Sequence, residues 1–561
     1  MSGERTQADP LLRSPDTVMR LARMGSAHQT RLSFLRALLR RAIRERWQFS
    51  RPRFDIDARG VGTAVYQVVA GDYTYSLVAF GHDLPPEKRT DRVIAEEWDA
   101  TFALFDGVPT DADIERMRAN VPRQEAGRCL ASELVLARAN RSIRLFDHVV
   151  DALASGVQPD TEALEATGYL MRTTAVYGNG KFGIADRDRF KARSEMAGPF
   201  RAEMLTVYLI RAFTADLAEH MAQLRAPDRA VVLQSALRRR LGVGNATGLG
   251  MAPFLVRHPL LLHRWVAARE TALARVRSIE AADDAARTRF LAALASGRRL
   301  VARWHTDDPV QAPRIPVLAV DLERLENFVQ GEAVFRETRP WDGIYRWAER
   351  ELSLEGQEFA VSLLLEPHGA LVDELAEEMS ADEDTVFDID GGRTCGELLA
   401  DIENGYAWAI DLNFAQPEKT GLFWYVSEEK LEPRLGVRAD EYGADLEQPL
   451  AVARDVSELR AALRAAPSGE RVGMFLMCEP RHRHTVRRVQ LMARYPYAEI
   501  RDNLIDRSMR AVDILRYKLA FFGVTRFDPR SDKWLRITLY QGAPFPSELG
   551  TGDWDDWIWP A

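Results

Sequence analysis

The stretch TAVYQVVAGDYTYSLVAF, residues 63–80, decides the fold class. Two runs rich in valine, tyrosine and threonine flank the pair Gly71-Asp72. A Gly-Asp pair between two β-rich runs is typical of a hairpin turn. The stretch therefore predicts two antiparallel strands near the amino end of the chain.

Outward from this hairpin, most of the sequence has the apolar periodicity of helices. Helical patterns are expected over residues 1–50, 93–105, 111–119, 128–154, 161–176, 196–302 and 321–380. Further strands are expected at 407–412, 421–427 and 534–540. A glycine-rich break at 242–250 interrupts the central helical region.

These patterns predict a helix-dominated α+β fold, with a large helical body and two small antiparallel sheets. When the sequence is aligned with itself so that Gly60 matches Gly405, Gly178 matches Gly523. In this alignment the same order occurs twice: a hairpin, then helices, then an aromatic residue followed by glycine. An internal duplication would explain that recurrence. We expect four segments: an N-terminal helical segment (1–50), an α+β lobe A (51–195), a helical middle region (196–395) and a lobe B (396–561) that resembles lobe A.

Composition and charge limit the classes of function. The chain has 561 residues, of which 46% are hydrophobic and 28% charged, as in ordinary globular proteins. Its net charge of −8 gives no overall basic field for nucleic acid or an anionic membrane. Three cysteines do not make a disulfide scaffold and fit a reducing compartment. Without a signal peptide or a membrane-length apolar run, a cytoplasmic location is expected.

The helix expected at Thr30–Phe49 alternates leucines with arginines. Such a helix either lies on a membrane surface or docks on protein, and docking is the commoner use. A subunit contact made by this helix would give a homodimer. Three tryptophans crowd the carboxyl end, and burial of the tail or a subunit interface would explain them: Trp554, Trp557 and Trp559.

The sequence YGNGKFG, residues 177–183, is the first candidate for chemistry. It contains G-x-G-x-x-G, but a helix-like run precedes it where a dinucleotide fold needs a strand. A glycine-bent loop would carry the phenol of Tyr177, the amide of Asn179 and the ammonium of Lys181. An ammonium near a phenol lowers the phenol's pKa, so Tyr177 and Lys181 are the predicted acid–base residues and Asn179 a binding residue. The alternative is a structural turn with an exposed lysine.

The sequence RRRLGVGNATGLGMAP, residues 238–253, is the second candidate. A glycine loop that leads into a helix start presents free N–H groups and the positive end of the helix dipole, which suits an anion or an oxyanion. Asn245 and Thr247 add side-chain donors and Arg240 a cation, so these three are predicted binding residues. The alternative is a long interhelical loop whose arginines pair with structural carboxylates.

The sequence contains only weak indications of a metal-binding site. Cys478, His482 and His484 are ligand types at plausible spacing, but arginines separate them and no second ligand pair follows. We therefore expect no metal and no tightly bound cofactor.

Together these residues predict a cofactor-independent enzyme that uses acid–base chemistry on a small anionic or carbonyl-containing metabolite. A lyase or isomerase is favoured over a hydrolase, because no nucleophile–base set is visible. The competing interpretation is a non-catalytic scaffold or regulatory binding protein that uses its helical body and aromatic carboxyl end.

Overall fold

The computed structural model describes most of the chain, namely residues 11–89, 97–123, 128–173, 192–248, 259–377, 379, 387–410, 412, 424–426, 433–435, 452–501, 511–531, 534–550 and 557–559. The chain divides into two compact units. The sheet unit comprises Gln29–Thr247, Leu291–Asp307 and Leu519–Ala561. The helical unit comprises Met1–His28, Gly248–Phe290 and Asp308–Lys518. Each unit thus combines segments that are far apart in sequence, and the predicted four-segment division remains a prediction.

The strands within the described residues are β1 (Gln48–Ile56), β2 (Gly62–Ala70), β3 (Tyr73–Gly81), β4 (Ala100–Asp106), β5 (Glu133–Arg141), β6 (Tyr169–Thr173), β7 (Gly242–Gly248), β8 (Trp424–Val426), β9 (Pro433–Leu435), β10 (Arg526–Ser531) and β11 (Trp534–Leu539). Nine of them form one mixed sheet in the order β1-β2-β3-β4-β5-β6-β7-β11-β10, and β8 pairs with β9 in a separate ribbon. Neighbours from β1 to β6 are antiparallel, whereas β6 and β7 are parallel.

The described α-helices are α1 (Pro15–Val18), α2 (Leu21–Met24), α3 (Phe34–Arg44), α4 (Asp111–Asn120), α5 (Phe146–Ala154), α6 (Thr161–Thr167), α7 (Arg201–Arg225), α8 (Ser235–Arg239), α9 (Pro259–Arg277), α10 (Asp284–Ala302), α11 (Arg314–Gln330), α12 (Pro340–Glu351), α13 (Leu354–Leu365), α14 (Gly369–Val372), α15 (Cys395–Gly405), α16 (Ala407–Ile410), α17 (Val452–Ala465), α18 (Val472–Cys478), α19 (Arg483–Arg494) and α20 (Ala511–Phe522). None of them combines the length and the apolar character that a bilayer crossing requires.

The predicted hairpin at residues 63–80 is confirmed. β2 and β3 pair antiparallel along their whole length, with Ala70 opposite Tyr73. Gly71 in the turn has a φ of +60°, which glycine adopts without a steric penalty. The predicted helix at 111–119 and the strand at 534–540 are confirmed as α4 and β11.

Helices cover both faces of the large sheet. α7 packs against β2, β3, β5 and β6 on one face. α4 lies on the other face, where Ile114 and Met117 pack among buried residues of β2 to β5. Because both faces are covered, the central strands are apolar along their length rather than alternating.

Local residues set the bounds of α6 and α4. The Asp160 carboxylate accepts from the Ala163 N–H at the start of α6, and Gly168 ends the helix with a φ of +77°. β6 follows directly, at Tyr169. Thr110 and Asp113 form a reciprocal capping box at the start of α4.

The helical unit has an apolar core and a buried charge network. Helices α15 to α19 share a core that includes Leu398, Val456 and Val489. Elsewhere in the unit, Arg13 donates to Glu270 at 2.7 Å and to Glu358 at 2.6 Å, with all three side chains buried. Burying an ion requires such paired partners, because an unpaired charge is strongly disfavoured away from water.

The prediction of two small antiparallel sheets is wrong. β11 joins the amino-terminal strands through β7 in a single nine-stranded mixed sheet. Residues 407–412 do not form the expected strand, since Ala407–Ile410 is helix α16 with Ala409 buried in the helical core. When Gly60 is aligned with Gly405, strands β5 and β6 correspond to helical stretches that include parts of α19 and α20, so the described residues do not show the duplication.

Three predicted helices are wrong over part of their length, for one reason. The stretches 93–105, 128–154 and 161–176 contain β4, β5 and β6, respectively, whereas α5 and α6 confirm the prediction over Phe146–Ala154 and Thr161–Thr167. Strands buried on both faces give continuous apolar runs, which periodicity alone does not distinguish from a buried helix.

Helix α3 confirms part of the expectation for residues 30–49. It is a helix, but it is largely buried, and even the arginines Arg36 and Arg41 are 0% and 8% exposed. Phe34 packs against Phe200 and Phe521 within the sheet unit. The helix is therefore an internal element, and its arginines do not all reach water.

Candidate functional site

The glycine-rich stretch that was expected to form an open loop is a strand over its first part. Residues Gly242–Gly248 form β7, which pairs parallel with β6. A Cβ on Gly242 would lie 2.3 Å from the Leu539 carbonyl oxygen, and one on Gly244 would lie 2.5 Å from the Tyr169 ring. These two glycines therefore permit close packing in the sheet, which is a different role from the flexible loop that the sequence predicted.

The parallel pair β6–β7 creates a sheet end with two adjacent strand termini. Two parallel neighbours need a crossover connection, and here that connection contains α7. α7 packs on the sheet, where Phe213 contacts Phe102 and Tyr66. In parallel strands of α/β proteins, ligands bind beyond the carboxyl ends. The corresponding position in the sheet unit lies at Thr173 in β6 and at Thr247, the last residue of β7 that belongs to this unit.

The predicted binding residues of the second candidate are divided between the two ends of β7. Asn245 is 3% exposed and lies, with Thr247, in the carboxyl-terminal half of the strand. The side chain of Thr247 is outside the described part of the chain. Arg240 precedes the amino end of β7, so the structure does not place it with the other two.

Arg240 forms an ion pair with Glu165, and the same carboxylate oxygen accepts from Arg303 at 3.0 Å. Such a contact is what the alternative interpretation, arginines on structural carboxylates, predicts. The binding role of Arg240 remains a prediction.

The predicted acid–base residues, Tyr177 and Lys181, and the predicted binding residue Asn179 lie outside the described residues. Their roles remain predictions. In sequence they follow β6 and precede a polar cluster around Arg193.

That cluster, here called the Tyr75 cluster, consists of Tyr75, Asp106, Arg193 and Glu195. The Tyr75 hydroxyl donates to Glu195 Oε1 at 2.5 Å. Arg193 donates to both carboxylate oxygens of Asp106, at 2.7 and 3.0 Å, and to the Tyr75 hydroxyl at 3.2 Å. The bidentate geometry fixes the guanidinium plane.

The Tyr75 cluster lies at the end of the sheet to which β6 points. β4 and β6 are both antiparallel to β5, so the two run in the same direction. Asp106 is the last residue of β4. The carboxyl ends of β4, β6 and β7 therefore point toward the same end of the sheet. Asp106 lies beyond the end of β6, because Thr173 is opposite Ala139, which pairs with Ala100 at the start of β4.

Burial and hydrogen bonding set the protonation states in this cluster. Burial and the hydrogen bond to Glu195 raise the pKa of the Tyr75 phenol well above its ordinary value. The hydrogen bonds to Asp106 raise the pKa of Arg193. Tyr75 therefore stays a neutral donor at physiological pH and is unsuited to act as a base. Its chemical role is to hold the Glu195 carboxylate in place.

Sequence reasoning missed all four members of the Tyr75 cluster. Tyr75 and Asp106 belong to strands, Arg193 directly precedes a short 3-10 turn at Ser194–Met196, and Glu195 lies within that turn. Their sequence separation follows from strand pairing, so no spacing motif marks them. The one signal present was the polar residue Asp106 at the end of an apolar run.

Among the described residues, no group of three His, Cys, Asp or Glu side chains is arranged to hold a metal ion. His482, one of the weak sequence candidates, is 3% exposed, and its ring stacks on Phe475 with centroids 6.1 Å apart.

Comparison of the chain with protein-family models, curated proteins and solved structures finds no match. The functional argument therefore depends on the residues and geometry described above.

Proposed function

We propose that this protein is a cofactor-independent enzyme that acts by acid–base chemistry on a small anionic or carbonyl-containing metabolite, with a lyase or isomerase favoured over a hydrolase. The observation that carries the proposal is the parallel pair β6–β7 with its α7 crossover. The first stretch that the sequence selects, 177–183, follows β6 in the chain, and the second, 238–253, contains β7. Carboxyl ends of parallel strands are common positions for small ligands.

In this proposal each residue has a role that its chemistry allows. Tyr177 and Lys181 exchange the proton with the substrate, since a phenol and an ammonium can both be tuned toward neutral pH. Asn179, Asn245 and Thr247 donate hydrogen bonds to the carboxylate, phosphate or oxyanion. The Tyr75 cluster holds Arg193 and Glu195, which follow the 177–183 stretch in sequence, on β3 and β4. Arg240 is not needed, because its ion pair with Glu165 lies at the other end of β7.

The scarcity of cysteine supports a cytoplasmic location as part of the same proposal. The competing function, a scaffold that uses its aromatic carboxyl end, is less well supported. Trp557 and Trp559 are each only 4% exposed, and Trp557 stacks on Tyr540.

A ligand screen tests the proposal. Purified protein is heated with a panel of small carboxylates, phosphates and carbonyl compounds, and compounds that stabilise it are then followed for turnover by NMR. A ligand at one hundred times its Kd stabilises the folded state by about 2.7 kcal/mol. Lys181→Met and Asn245→Ala should lose both the stabilisation and the turnover.

Lys88→Met is the matched control for Lys181→Met, because Lys88 is exposed and its ion pair with Glu97 is on the surface. Because Asn245 is buried, its variant is compared with the wild type first without ligand, so that a loss of folding is recognised. If Lys181→Met binds and turns over every stabilising compound as the wild type does, the proposed acid–base role is wrong.

A further inference from the structure

A second surface, in the helical unit, carries an inference that is independent of the proposed enzyme site. Helix α18 buries Val472 and Phe475 and leaves Met474 and Met477 in solvent. The two methionines are 55% and 77% exposed and lie one helical turn apart. Large apolar side chains exposed side by side on a helix are typical of a contact surface.

Arginines follow these methionines directly in sequence. Residues 470–494 contain six arginines and two acids. Arg481 and Arg483 are exposed, and Arg487 is half-buried one turn after Arg483 on α19. The chain as a whole has more acids than bases, 83 against 75, so this segment is a local excess of positive charge.

The positive charge of this segment is only partly neutralised by the protein itself. Glu479 pairs with Arg481 at 3.0 Å, and Glu499 pairs with Arg488 at 2.8 Å. Within the described residues, Arg483 and Arg487 form no ion pair with an acid. A surface with unneutralised arginines beside apolar side chains is complementary to a partner that is acidic and also carries apolar groups.

We propose that the methionine–arginine surface, formed by Met474, Met477, Arg481, Arg483 and Arg487, docks an acidic segment of a partner protein. Apolar side chains of that segment contact the two methionines, and its carboxylates face the arginines. Methionines one turn apart match the spacing of apolar residues on a helix. Their flexible thioethers adapt to partners of different shape.

Two other kinds of partner fit this surface less well. A membrane-surface helix needs a broad apolar face, and α18 exposes two methionines on seven residues. Base stacking needs exposed aromatic rings, and Phe475 is buried.

Fluorescence anisotropy with a synthetic probe tests the proposal on the full-length protein. The probe is a labelled peptide of about 20 residues, with leucine at helical spacing and glutamate at the other positions. One comparison peptide has lysine in place of glutamate, and another has serine in place of leucine. The glutamate–leucine peptide should bind best, and added salt should weaken its binding.

Two double variants identify the surface. Met474→Ser with Met477→Ser, and Arg483→Glu with Arg487→Glu, should each weaken binding of the glutamate–leucine peptide by about tenfold or more. Val317→Ser with Val320→Ser is the control for the methionines, because these valines are also exposed and three residues apart. Arg336→Glu is the control for the arginines, since its side chain is 82% exposed.

Several results would overturn the inference. One is binding of the lysine–leucine peptide as tightly as the glutamate–leucine peptide. Another is unchanged binding in both double variants. Tighter binding of phosphatidylserine vesicles or of an oligothymidylate, lost in the same double variants, would assign the surface to a membrane or to nucleic acid instead.

Discussion

At the residue scale, buried polar contacts are the features that sequence patterns reveal least. In the sequence, nothing distinguishes Tyr75 from the other aromatic residues of the strand. In the structure, its hydroxyl donates a hydrogen bond to the buried Glu195 carboxylate. A buried carboxylate that loses a donor keeps its desolvation cost without compensation. The contact between Tyr75 and Glu195 is therefore a stabilising element of the sheet unit.

Tyr75→Phe should lower the free energy of unfolding of the protein by about 1–3 kcal/mol, the usual cost of leaving a buried polar group without its partner. Tyr73→Phe is the control, because Tyr73 is 41% exposed and its ring is retained under Arg193. Urea unfolding measures both. Equal losses in the two variants would show that the buried hydrogen bond contributes nothing.

The helical unit contains a second buried contact of this kind. Arg516 donates to Glu355 at 2.5 Å, and His28 lies 3.6 Å from the same carboxylate. Burial by itself would raise the pKa of Glu355, but Arg516 and His28 outweigh it and lower the pKa to about 2. The carboxylate is thus held in its charged form.

This pKa predicts how stability depends on pH. A carboxyl whose pKa is depressed in the folded state stabilises the protein above its unfolded pKa, and that contribution is lost as the pH falls toward the folded value. The difference in unfolding free energy between wild type and Glu355→Gln should be large at pH 5 and shrink toward pH 2. Glu351→Gln, at an exposed carboxylate, is the control. A difference that is constant over this range would contradict the assignment.

At the element scale, the sequence predicts helices and strands correctly where one face of the element is exposed to solvent or where a characteristic turn residue is present. The β2–β3 hairpin is predicted by Gly71-Asp72, and α4 by its acidic start and apolar spacing. β4 and β5 are missed because both faces are buried and the apolar pattern loses its period of two. Short alternating runs such as residues 407–412 are ambiguous, and packing against the helical core decides for helix.

β7 shows how tertiary packing overrides local preference. Its glycines predict a loop, but the close approach of neighbouring groups makes glycine the residue that fits. Asn245 and Thr247 thus lie in a strand and not in the loop that the sequence predicts, and their binding role remains a prediction. The Tyr75 cluster could not be predicted, because strand pairing and the turn at Ser194–Met196 bring its members together.

Gly244→Ala should destabilise the sheet unit by about 1–3 kcal/mol, because the added methyl would overlap the Tyr169 ring and overpacking carries that cost. Gly331→Ala is the control, since a Cβ there meets no atom within 4 Å. Hydrogen–deuterium exchange should show faster exchange across β6 in Gly244→Ala alone. Unchanged protection of β6 would mean that the strand pair does not depend on this contact.

At the scale of the whole molecule, the sheet unit is assembled from both halves of the sequence. β10 and β11, from the last part of the chain, extend a sheet whose other strands lie before residue 249. Pairings this distant leave no trace in a single sequence, which explains why two separate sheets were predicted. Long-range pairing also means that the unit cannot be completed until the carboxyl end of the chain is present.

A chain that ends after Val524 lacks β10, β11 and the buried Trp557 and Trp559. The truncated protein should lose most of the hydrogen-exchange protection of β7, because that strand becomes an uncovered edge. Removal of residues 1–10 is the control and should leave β7 protected. Full protection of β7 in the chain that ends after Val524 would contradict the described strand order.

The central claim is that the candidate site lies beyond the carboxyl ends of β6 and β7, and cysteine cross-linking tests it most directly. Lys181→Cys is combined with Thr247→Cys or with Arg240→Cys, in a protein whose exposed Cys478 is replaced by serine. The two partner positions are separated by β7, about 20 Å of extended chain. A bismaleimide of about 10 Å, the span of a small-ligand pocket, should link residue 181 to 247 and not to 240, as read by peptide mass spectrometry. Cross-linking to 240 in preference to 247 would place Lys181 at the wrong end of the sheet and contradict the proposed site.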